Sequence, residues 1–115
     1  MRIEVRGRNT EVTDDLRRHV EKRFDRIGRQ VSEHAVLQVE LSEERNPRIS
    51  DREVVEATLH LRRATLRASE ASPDMLHSIH EVAEDLRRQV KRHREKRRKR
   101  HQTRQLVDSL RRRTA

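Results

Sequence analysis

Apolar and polar residues alternate from the start of the chain: Ile3 and Val5 lie between Arg2, Glu4 and Arg6. A period of two is that of a half-buried strand. Gly7 to Thr10 then make a turn. Val12, Leu16, Val20, Phe24, Ile27 and Val31 follow at spacings of four and three, which is one apolar stripe of a helix. The spacing predicts a helix near 13–29. Thr13 suits its N-cap, Asp14 and Asp15 place negative charge on its first turn, and Gly28 marks its end. Alternation returns at Ala35, Leu37, Val39 and Leu41, a second strand. The polar stretch 43–51, with Pro47, is a loop. Val55, Ala57, Leu59 and Leu61 give a third strand. After a tight turn near Arg62-Arg63-Ala64, Leu66 and Ala68 give a fourth, so the last two form an antiparallel hairpin.

Ser72-Pro73-Asp74 opens a second helix, with Ser72 as the expected N-cap and Pro73 at the first helical position. Its buried stripe is Met75, Ile79, Val82, Ala83, Leu86 and Val90. Helix-favouring residues continue to about Arg100 without an apolar face, so the helix should project beyond the body. Leu106, Val107 and Leu110 allow one amphipathic turn, but a flexible tail is expected over 101–115. The order β-α-β-β-β-α defines an α+β fold with one four-stranded sheet and both helices packed on one face. The expected division is a single α+β domain over 1–96, followed by a basic helical extension and tail over 97–115.

Charge changes the picture at one place. The 115 residues carry a formal charge of +9, yet residues 1–86 hold 15 Lys/Arg against 18 Asp/Glu, while residues 87–115 hold 14 against 2. Between Arg87 and Arg100 stand ten cations and one acid. Like charges at i,i+4 destabilise a free helix by a few tenths of a kcal/mol per pair, about 0.2–0.5. A polyanion removes that cost, and phosphate binding by such a surface proceeds by counterion release. The plain alternative is a solvated basic face. A membrane surface fits less well, because no bulky apolar face accompanies the run. On the first helix Arg17, Arg18, Lys22, Arg23, Arg26 and Arg29 add positive charge, interspersed with Asp14, Asp15, Glu21 and Asp25.

Other chemistry is thinly represented. Phe24 is the only aromatic residue and sits on a buried stripe, so bases cannot stack on an aromatic sheet. Any RNA contact should therefore read backbone shape and charge. There is no Cys, which excludes disulfides and thiolate metal sites. His77 and His80 stand three apart on the second helix, but no third and fourth ligand is placed beside them, so no metal site is expected. The two glycines form neither a phosphate loop nor a nucleophile elbow. These features point to a binding protein with no cofactor and no small-molecule substrate rather than an enzyme. The N-terminus has no continuous apolar run of the kind a signal peptide requires, and a cytoplasmic location is expected.

Several segments in order carry a resemblance. They are Ile3-Glu4-Val5-Arg6-Gly7-Arg8-Asn9, Val12-Thr13-Asp14-Asp15-Leu16-Arg17-Arg18-His19-Val20, Glu56-Ala57-Thr58-Leu59-His60-Leu61, Ala68-Ser69-Glu70, Asp74-Met75, and Leu86 through Lys96. Over about residues 1–96 the sequence resembles the ribosome hibernation promoting factor family, also called ribosome-associated inhibitor A. The resemblance implies a fold similar to double-stranded-RNA-binding domains. It implies binding to rRNA in the channel of the small ribosomal subunit where messenger and transfer RNA sit, and inhibition of translation in idle ribosomes. The family's basic residues on the second helix map onto Arg88, Lys91, Arg92, Arg94 and Lys96, and those on the first onto Lys22, Arg23 and Arg26. The cationic run itself adds Arg87, Arg97 and Arg98 as RNA contacts.

The sequence departs from the family's pattern in places. Leu76 stands where Tyr is common, Asp85 where Lys is frequent, and Arg62-Arg63 where the hairpin turn usually contains Gly. The chain resembles the short members, which lack an extra C-terminal domain, and a monomer is expected when free. Two alternative functions compete: a general double-stranded-RNA binder without a defined site, and a protein-interaction regulatory module.

Overall fold

The structure, a computed structural model, describes residues 1–114. Six elements follow in order: β1 (Arg2–Gly7), α1 (Asp14–Gly28), β2 (Val36–Glu43), β3 (Glu53–His60), β4 (Thr65–Ser72) and α2 (Met75–Thr114). The sheet order is β1-β2-β3-β4. β1 and β2 are parallel, joined through α1, and the other two pairings are antiparallel. Among the described residues no helix is long and apolar enough to cross a membrane.

Register explains why the alternating pattern closes on one core. Ile3 aligns with Leu37, Leu59 and Leu66 across the four strands, and Val5 aligns with Val39, Ala57 and Ala68. A slip of one residue would turn these rows to solvent. The rows meet Val20, Phe24 and Ile27 of α1 and Ile79, Val82, Ala83, Leu86 and Val90 of α2 in a single buried cluster. The opposite sheet face is polar, with Glu4, Gln38, Thr58 and Arg67 in one row and Arg6, Glu40, Glu56 and Ser69 in the next.

Local chemistry sets the element ends. The Thr13 hydroxyl accepts from the Leu16 backbone N–H at 3.2 Å, as an N-cap should. Asn9 extends the sheet with its side chain: Nδ2 donates to the Glu43 carbonyl at 2.8 Å, and Oδ1 accepts from the Glu43 N–H at 2.7 Å. The chain can turn back there because Gly7 has no Cβ; an added Cβ would run into the Thr10 carbonyl oxygen. Gly28 is different. A Cβ there would lie 3.5 Å from the Met1 Cε, an ordinary contact, and no glycine adopts positive φ. α1 stops at Gly28 with Arg29 in right-handed helical conformation, so the glycine ends the helix without the left-handed turn that often follows one.

Two expectations need correction. Ser72 is the last residue of β4, not the N-cap of α2. The first helical bond runs from the Ser78 N–H to the Asp74 carbonyl at 3.0 Å, which puts Asp74 at the cap. Ser72 Oγ instead lies 2.7 Å from Ser78 Oγ, and the Ser78 hydroxyl donates to the Glu53 carbonyl at 2.7 Å. This buried pair ties the first turn of α2 to the start of β3 and the end of β4. The second correction concerns length. α2 does not give way to a tail near Arg100 but runs to Thr114. No Gly or Pro interrupts 97–114, and Gln, Arg, Lys and Leu are strong helix formers. Loss of an apolar stripe removes burial, not helicity. From Val90 the helix continues about 36 Å, 24 residues at 1.5 Å each, and the molecule measures 69 Å along its longest axis.

Two results follow. Gly7→Ala should destabilise by about 1–3 kcal/mol, the range for forcing atoms into filled space, whereas Gly28→Ala should be neutral or stabilise by up to about 1 kcal/mol; urea unfolding of both variants checks the contrast. Truncation after Arg100 removes only exposed side chains among those described, so the melting temperature should move by less than about 4 °C.

Candidate nucleic-acid interface

α1 and α2 lie side by side on the sheet, and their exposed flanks form a groove of about 260 Å³. Lys22, Arg23 and Arg26 line it from α1, and His80, Glu84 and Arg87 line it from α2, over Ile27 and Ala83. The helical repeat accounts for the convergence. Lys22, Arg23 and Arg26 are three and four apart on the flank beside the buried Phe24 and Ile27, and His80, Glu84 and Arg87 are likewise four and three apart.

The line does not stop at the groove. Lys91, Arg94 and Arg98 follow Arg87 at i+4, i+7 and i+11 and continue the same helical face into solvent. Of the residues predicted from sequence, Lys22, Arg23, Arg26, Arg87, Lys91, Arg94 and Arg98 therefore share one surface. Arg88, Arg92 and Lys96 stand on a second face about 100° round the helix, from 3.6 residues per turn. Arg97 extends the side that upstream carries Val90. The cationic segment is thus charged around its circumference.

Most cations of this surface are unpaired, whereas several arginines elsewhere are held by carboxylates. Arg2 pairs with Glu4 at 2.8 Å, Arg6 with Glu40 at 2.6 Å, Arg52 with Glu43 at 3.1 Å and Arg29 with Asp25 at 2.8 Å. Among the described residues Lys22, Arg23, Arg26, Arg88, Lys91, Arg92, Arg94, Lys96, Arg97 and Arg98 are exposed and none pairs with a carboxylate. Arg87 is the exception. It is half-buried, its Nη2 lies 2.8 Å from Glu84 Oε2, and its Nε is buried without a hydrogen-bond partner. Glu84 orients it within the groove and offsets part of its charge. Gln89 makes the last side-chain bond from α2 to the sheet, to the Arg67 carbonyl at 2.7 Å.

The histidines do not assemble a metal site. His77 Nε2 lies 3.7 Å from Glu81 Oε1, while His80 lines the groove. Among the described residues no three His, Cys, Asp or Glu side chains are grouped to hold an ion. Sequence reasoning gave no role to His19. Its Nε2 is buried and unpartnered. Burial, then the charges of Arg23 and Lys22 on its own helix, hold its imidazole below the ordinary 6.5, against the pull of Asp74; His80 pushes the same way as the cations. The signal was legible in part, since Lys22 and Arg23 stand three and four residues after His19 on one helix face.

The sheet and its paired helices define a class of small α+β domain with a cationic helical face. The chain belongs to the Sigma 54 modulation protein / S30EA ribosomal protein family, whose model matches residues 3–98. It is 32% identical over 109 residues to the ribosome hibernation promoting factor of Azotobacter vinelandii, covering 95% of this chain and 97% of that protein. It is 33% identical over 99 residues to the ribosome hibernation promotion factor of Lactococcus lactis, where it spans 49% of the longer protein. The N-terminal domain of Thermus thermophilus Protein Y superposes with a TM-score of 0.68 at 30% identity, over 80% of this chain and 98% of that one. A ribosomal subunit interface protein from Coxiella burnetii shares the fold, with a TM-score of 0.70 at 20% identity over 82% of this chain and 98% of that one.

The sign of the His19 effect on stability is fixed by its depressed proton affinity. In the window below 6.5 the unfolded chain binds more protons than the folded one, so stability declines as the pH falls through that window. Urea midpoints at pH 7.5 and 5.5 should show the decline, and His19→Gln should reduce it.

Proposed function

We propose that the protein is a ribosome hibernation factor. It binds rRNA of the small ribosomal subunit in the channel used by messenger and transfer RNA, and it inhibits translation in idle ribosomes. The observation that carries this reading is the continuous cationic face that leaves the α1–α2 groove at Arg87, itself paired with Glu84, and follows the unpaired Lys91, Arg94 and Arg98 out along α2. A surface without aromatic or amide readers for bases suits a partner of defined shape and dense phosphate. Relatives named for ribosome hibernation support the choice of that partner. On this reading the protein acts as a cytoplasmic monomer by occupying its site, without a cofactor and without catalysis.

A general duplex-RNA binder is the second reading, favoured by the same absence of aromatic stacking groups. Co-sedimentation with small subunits, compared with naked duplex RNA across a salt series, separates the two. With about six phosphates neutralised, log K should fall against log salt with a slope of roughly −4 to −5. Changing Lys91, Arg92, Arg94 and Lys96 together to Glu should abolish inhibition in a translation assay, while circular dichroism and the melting temperature stay near those of the parent. A folded variant that still inhibits would remove this helix as the main contact.

A further inference from the structure

His19 is the described imidazole whose proton site is both buried and unpartnered. It lies on α1 one turn before Lys22 and Arg23, two of the cations that line the groove, and it senses the charges of both. From the start of α2 it is faced by Asp74, which favours its charged form, and by His80, which lines the groove and opposes it. Resting on the RNA-binding reading above, we propose that His19 is a proton sensor for this interface: phosphate entering the groove draws a proton onto its ring, and binding tightens as the pH falls.

The physical chain is short. In the free protein Lys22 and Arg23 act on His19 with nothing but solvent ions to screen them, and burial adds to the cost of charging it. A phosphate held by these two side chains cancels their charge and brings a negative group toward the ring. Both changes favour the protonated form. Linkage requires the reciprocal effect: whatever makes RNA raise the proton affinity of His19 makes a proton raise the affinity for RNA by the same factor. The regulated quantity is thus the affinity of an idle-state factor, set by the acidity of its surroundings. The charge of Asp74 favours the protonated ring through space, and Glu84, the carboxylate of the groove, is committed to Arg87 at 2.8 Å.

The test uses the full chain and small ribosomal subunits at constant ionic strength. Between pH 7.5 and 5.5 the affinity should rise about three- to tenfold, the latter corresponding to a one-unit rise in the proton affinity of a single group. His19→Gln should remove most of that rise. A second measurement does not depend on the variant's folding. In wild-type protein the His19 ring proton resonance is followed by NMR through a pH titration, alone and with a short duplex RNA as phosphate source. The midpoint should move upward on addition of RNA. A midpoint that stays in place, or an equal pH response in wild type and His19→Gln, overturns the sensor. Failure of the chain to bind subunits or duplex at any pH would instead remove the RNA-binding reading on which it rests.

Discussion

Ile79, Val82, Ala83, Leu86 and Val90 hold one end of α2 against the sheet, and everything the other end presents depends on that grip. Burying side chains of this size stabilises by about 1.5–3 kcal/mol each for the larger ones. Mutual repulsion along the cationic half costs about 0.2–0.5 kcal/mol per adjacent like pair. The comparison decides the design. Where the stripe exists, each buried side chain outweighs a like-charge pair several-fold, and α2 is fixed in position and direction. Beyond Val90 there is no such reserve, and helix propensity alone is set against repulsion. The anchored half therefore aims a charged rod whose own stability improves when anions gather around it.

The rest of the molecule is arranged so that this charge stays available. Some sheet arginines are neutralised in place, as Arg6 is by Glu40 and Arg52 by Glu43, although Arg67 of β4 is not. Such exposed pairs add little stability, but they consume positive charge on the face away from the helices. On the helical side Arg18 and Arg29 pair with Asp15 and Asp25 and Arg87 with Glu84, while Lys22, Arg23, Arg26 and the cations of α2 from Arg88 to Arg98 lack that compensation. Net charge alone hides this. A body with more acids than bases still offers a positive surface, because Lys22, Arg23 and Arg26 meet Arg87 along one groove.

Much of this was legible in sequence, for reasons that differ by element. The strands and α1 were readable because burial on one side of a sheet or helix imposes a period, and Ile3, Val5, Leu37, Val39, Ala57 and Leu59 keep it. The end of α2 was not. Its apolar stripe reports packing, and when packing ends at Val90 the pattern falls silent although the helix runs on to Thr114. The cap of α2 was misread by two residues: the Ser72 hydroxyl does accept from the Asp74 N–H at 3.2 Å, but the helical bonds start at Asp74, and the same hydroxyl makes a bond with Ser78 that local sequence does not encode. The cationic run was visible as composition. The meeting of Lys22, Arg23 and Arg26 with Arg87 was not, since it depends on how two helices lie across a shared sheet.

That juxtaposition also determines what kind of recognition the surface can perform. A lone basic helix binds any polyanion along its length, with affinity governed by charge density and salt. A second helix beside it adds a fixed separation between two rows of cations, so phosphates must match a spacing as well as a sign. Beyond the groove, α2 carries charge on several faces at once, which a flat duplex surface would contact only in part. Phosphates on more than one side of the rod would engage Arg94 and Arg98 on one face together with Arg92 and Lys96 on another. Specificity on such a surface arises from the shape of the anion that encloses it, because its cations, though able to bond a guanine edge, have no exposed aromatic ring beside them on which a base could stack.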